Sequence, residues 1–100
     1  MLIQIKASRG FFSHYRDADG RPGADGLQSI FSAAVAGVLD RAGLAGEIKI
    51  PDDPAVFVDA APTGDPAADA AAAAAIDAGR SAVQAAAVEV VRANYDNYGS

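Results

Sequence analysis

The chain reads as a small α+β domain, a β-α-β-β-α sandwich with two helices on one face of a sheet. The sheet has three strands, or four if residues 11–15 form one. Three observations lead there. Residues 2–7 alternate with period two. Residues 27–39 carry apolar side chains at helical spacing between two end signals. Residues 65–98 form a long, Ala-rich segment that opens with a cap and is interrupted only by Gly79.

The first strand covers residues 1–7, with Ile3, Ile5 and Ala7 on one side and Leu2, Gln4 and Lys6 on the other. Ser8-Arg9-Gly10 can turn the chain. Phe11, Phe12 and Tyr15 then continue either as a second strand in a hairpin or as a loop pinned by its aromatics. Residues 17–26 are turn chemistry, rich in Asp, Gly and Pro.

Asp25 is placed to cap the first helix, with Gln28 three positions on. Leu27, Ile30, Phe31, Ala34, Val35, Val38 and Leu39 make its apolar stripe. Gly43 suits a left-handed C-terminal cap, and Leu44 the apolar contact that goes with it. Glu47–Ile50 is a short strand, Pro51–Pro54 a turn, and Ala55–Ala60 a further strand, together an expected antiparallel hairpin. The strand–helix–strand unit makes the first two strands parallel. Asp65 then caps the long helix and Pro66 takes its first position. The whole is one domain, residues 1–100: a β-α-β-β unit over 1–64 and the helix over 65–98.

At about 1.5 Å per residue, the 30 residues from Pro66 to Tyr95 span about 45 Å. A compact chain of 100 residues is about 33 Å across, from a radius of gyration of about 13 Å. The helix must therefore break at Gly79, project beyond its domain, or pack on a second copy. Ile76, Val83 and Val90 recur every seven residues, and Ala72, Gly79, Ala86 and Ala93 recur at the same interval, offset by three. That is a seam of β-branched and small residues. It suits the helix of residues 27–39 in the same chain or the same seam in another copy. Tyr95 and Tyr98 add interface-type side chains at its end.

Of the 51 hydrophobic residues 25 are alanine, so the core is thin for the length. A partner or oligomerisation is one way to supply the difference. Cysteine is absent, which rules out disulfides and thiolate sites and fits a reducing compartment. The opening residues lack the pattern of a cleavable secretory signal, and no run of 18 uncharged apolar residues suggests a membrane span. A cytoplasmic protein, or one within a phage or host assembly, is expected. Net charge is −5, made of +2 over residues 1–23 and −7 over residues 24–100. An acidic body repels phosphates, so nucleic acid is not an expected partner. The Ala-rich, Cys-free composition resembles that of small proteins from high-GC bacteria or their phages.

Candidate chemistry is sparse. His14, the sole histidine, lies among Arg9, Tyr15 and Arg16. Such a cluster suits acid–base work or anion binding. The plainer account is a solvated segment whose polar groups alternate with buried Phe. Asp17, Asp19 and Asp25 suggest a calcium loop, but either register puts Arg21 or Tyr15 at a ligand position. Gly20, Gly23 and Gly26 precede a helix as in a phosphate loop, yet no Gly-Lys-Ser/Thr follows. No metal or other cofactor is expected. The leading expectation is a non-enzymatic interaction or assembly protein. It would form a homo-oligomer or bind a protein partner through Ala72, Ile76, Gly79, Val83, Ala86, Val90, Ala93, Tyr95 and Tyr98. One alternative is an acidic, inhibitor-type protein presenting Asp52, Asp53, Asp59, Asp65 and Asp69 to a basic site. The other is a small enzyme or anion-binding module using Arg9, His14, Tyr15 and Arg16, which requires those side chains to converge.

Overall fold

A computed structural model describes the backbone of residues 2–15 and 24–99, and the side chains of residues 2–15 and 26–87. In order the elements are β1 (Leu2–Ala7), α1 (Arg9–His14), α2 (Ala24–Arg41), β2 (Ala45–Lys49), β3 (Val58–Ala60) and α3 (Pro66–Gly99). The architecture is the expected α+β layer. β1 is the central strand of a mixed sheet ordered β2-β1-β3. Its alternation puts Ile3, Ile5 and Ala7 under the helices, fully buried, and leaves Leu2, Gln4 and Lys6 on an open face.

β1 and β2 are parallel, as the strand–helix–strand unit implies, with Ile5 opposite Ile48. The expected hairpin between β2 and β3 does not form. β3 instead pairs antiparallel with β1, Lys6 opposite Asp59, and shortens to three residues. The reason lies in residues 50–57. The Asp53 carboxylate does accept the Ala55 N–H at 2.9 Å, as a local turn should. The segment is nonetheless no hairpin loop but a strap laid across the start of α1. The N–H of Arg9 donates to Pro51 O (3.0 Å), that of Gly10 to Asp53 O (2.8 Å), and that of Ser8 to Phe57 O (3.0 Å).

Residues 11–15 are likewise neither strand nor loop: Arg9–His14 is helical. Ser8 caps it, its Oγ accepting the Phe11 N–H at 3.2 Å. The strap carbonyls take the helix's first donors, groups a helix cannot satisfy internally. Phe11 and Phe12 thereby reach the core and meet Phe31 edge to face, with centroids 5.9 and 5.7 Å away. Phe11 meets Tyr15 in the same way at 5.6 Å. Gly10 admits no side chain: a Cβ there would stand 2.5 Å from Ala55 O and closer still to the Pro54 carbonyl.

α2 opens at Ala24, so Asp25 stands inside the helix rather than at its cap. The rest of the turn expected over residues 17–26 falls outside the described residues. The C-terminal end is as expected. Gly43 is left-handed (φ 72°), its N–H donates to Asp40 O (3.0 Å), and the Leu44 N–H to Leu39 O (2.9 Å). Those two bonds close a Schellman cap.

α3 begins where the sequence indicates, with the Asp65 carboxylate accepting the Ala67 N–H at 3.0 Å. It runs 34 residues without a break at Gly79, about 51 Å. The largest dimension of the molecule is 53 Å, so the helix sets its length.

Candidate functional site

α3 lies against α2. Ala68, Ala72, Ala75, Val83 and Ala87 are buried, and Gly79 is buried with them. The approach is close because Gly79 lacks a Cβ: one there would come within 2.6 Å of the Phe31 ring and 3.1 Å of Val35. The small-residue row expected from the sequence is thus filled by the chain's own α2 over Ala72, Gly79 and Val83. Ile76 and Ala86 are half-buried at its margin. The side chains of Val90, Ala93, Tyr95 and Tyr98 lie outside the described residues, on a backbone that is helical to Gly99.

The supporting helix is shorter than the helix it supports. α2 has 18 residues, about 27 Å. The strand directions make α2 and α3 antiparallel neighbours, and Phe31 marks where they cross at Gly79. α2 begins at Ala24, two turns before Phe31. Ala87, the last buried residue described on α3, lies two turns past Gly79. The twelve residues from 88 to 99 therefore continue beyond the start of α2.

The Arg9–Arg16 cluster comes together only in part. Arg9, Ser13 and His14 line a depression of about 480 Å³ with Asp52 and Asp53. Arg9 Nη1 is 3.0 Å from Asp52 Oδ1, and both side chains are well exposed. Tyr15 contributes nothing to the depression. Its ring stacks edge to face on Phe11 and on His14, whose centroid is 5.3 Å away. Arg16 lies outside the described residues. Among those residues no group of three or more His, Cys, Asp and Glu is placed to hold a metal ion. No described helix is long and apolar enough to cross a membrane.

The five aspartates of the acidic stretch each have an acceptor role within the chain. Asp52 takes Arg9, Asp53 the Ala55 N–H, Asp59 the Ala60 N–H, and Asp65 the Ala67 N–H. Asp69 accepts both the Oγ1–H (2.7 Å) and the N–H (2.9 Å) of Thr63. The hydroxyl, then the N–H, of Thr63 hold its carboxyl below the usual carboxylate range, against a smaller opposing effect of burial.

Sequence reasoning missed one polar hub, Ser8. It is fully buried. Its hydroxyl donates to the Ala55 carbonyl and accepts the Phe57 N–H at 3.0 Å, joining β1, α1 and the strap. A serine followed by aromatics at 11, 12 and 15, a helical spacing, is the signal that was there to be read.

Comparison with known proteins finds no matching family model, curated protein or solved structure.

Proposed function

We propose that this chain is a non-enzymatic interaction protein that self-associates through the part of α3 beyond α2. The single observation in support is the mismatch in length: 34 residues of α3 rest on 18 residues of α2. A helical segment of about a dozen residues is marginal in water on its own and gains stability from packing. The heptad continues into it, Val90 after Val83 and Ala93 after Ala86. Small and β-branched residues at such spacing let a second helix approach closely. The same segment of another copy carries the matching row, which makes a symmetric pairing the simplest occupant.

The test is light scattering coupled to size exclusion, from micromolar to millimolar protein. The reading expects a mass that rises with concentration from 10.1 kDa. Val90→Asp should shift that rise to at least tenfold higher concentration while leaving the monomer's circular dichroism and Tm unchanged. A mass fixed at the monomer value throughout sinks self-association and leaves a different protein as the partner.

A further inference from the structure

The two edges of the sheet are not alike. β3 is three residues long and runs back into the strap. β2 is five residues long and pairs with β1 along one side only. Among the described residues no other backbone hydrogen bond reaches residues 45–49. Ala45, Gly46 and Lys49 are exposed and Ile48 is half-buried; Leu39 of α2 lies over Gly46 on the helix side.

Charges on an edge strand ordinarily keep other strands away. On β2 they stand in an order that permits one exception. If two copies of β2 run antiparallel about Ile48, Glu47 of each faces Lys49 of the other, and Ile48 meets Ile48 between them. Opposed unlike charges across a strand pair attract, and like charges repel. Pairings centred on Glu47 or on Lys49 set like charges face to face, so the sequence selects the register about Ile48. The two-fold axis of that pairing is perpendicular to the sheet. Ile48, the partner of buried Ile5, stays on the helix side in both copies. Glu47 and Lys49 stay on the open face beside Gln4 and Lys6. Within one chain the Glu47–Lys49 pair is long, 3.9 Å, and exposed, so exchanging it for the intermolecular pair loses little.

We infer that β2 is a self-complementary edge through which two copies form one continuous six-stranded sheet. The contact uses none of the α3 residues and is independent of the function proposed above.

Sedimentation equilibrium separates the two contacts. In a Val90→Asp background the chain should still dimerise. Adding Glu47→Lys or Lys49→Glu should each weaken that dimer about tenfold. Combining them should restore it to within about threefold, because the pairs re-form with their signs exchanged. The side chains of Glu47 and Lys49 are both exposed, and unchanged Tm values verify the fold of each variant. A Val90→Asp chain that stays monomeric at millimolar concentration overturns the inference. So do single variants that dimerise like their parent, or a double variant that fails to recover. If Val90→Asp alone leaves association intact and the charge exchange governs all of it, the α3 reading fails while this one stands.

Discussion

The shortest and the longest helix of this chain are held by different forces. α1 has six residues and no helical stability of its own. It exists because a strap some 40 residues further on supplies carbonyls to its first N–H groups and Ser8 caps it. α3 has 34 residues, 14 of them Ala, an N-cap and Pro at its first position. Over its Ala-rich part, residues 66–87, its helicity is local, and only its placement depends on the rest of the chain. In one case tertiary contacts create the helix; in the other they choose which side of it is buried.

Glycine tests that contrast, because each helix carries one at a close approach. Ala in place of Gly favours a helix by about 1 kcal/mol in either setting. At Gly10 the added methyl meets backbone carbonyls that cannot rotate away. Gly10→Ala should therefore cost about 3 kcal/mol, read by chemical denaturation, and displace the strap. Ser8→Ala comes next. It removes the acceptor of the half-buried Phe57 N–H and one of the two acceptors of the buried Phe11 N–H, and should cost about 2 kcal/mol in the same assay. Gly79→Ala should cost only about 1 kcal/mol, because its neighbours are side chains, Phe31 and Val35, rather than backbone, and the helix propensity gain offsets part of the strain. If Gly79→Ala proves more damaging than Gly10→Ala, the contrast is wrong.

The smallest effect concerns the start of α3. Thr63 lowers the pKa of Asp69 in the folded chain. A carboxyl whose pKa falls on folding adds stability above its unfolded pKa, about 4, and loses it as the pH drops through the folded value. Asp69→Asn should therefore lower Tm slightly near neutrality, and the gap to wild type should close below about pH 4. A gap that widens in acid would contradict the Thr63 contact.

The same contrast explains what could be read in advance. β1, the body of α2, its Gly43 cap and the Asp65-Pro66 start of α3 were legible, because each is written in adjacent residues. The α1 helix was not, since its first hydrogen bonds come from Pro51 and Asp53. The pairing of β3 was not either. Pro51–Pro54 has the composition of a hairpin turn, and only the docking of the strap on Ser8 and Gly10 carries the chain across to the far side of β1. For the candidate site, the small-residue row of α3 was legible as a contact surface. Its occupant over Ala72–Val83 depended on where α2 lies, which no local pattern specifies.

What remains is whether α3 is divided in the way proposed, one part held by its own chain and the rest by another copy. Hydrogen–deuterium exchange at several protein concentrations addresses this directly. Protection of the amides between Ala68 and Ala87 should not depend on concentration, because their partner is α2. Protection of the amides from 88 to 99 should rise from micromolar to millimolar protein, and Val90→Asp should remove the rise. Exchange over 88–99 that is the same at every concentration would contradict the account.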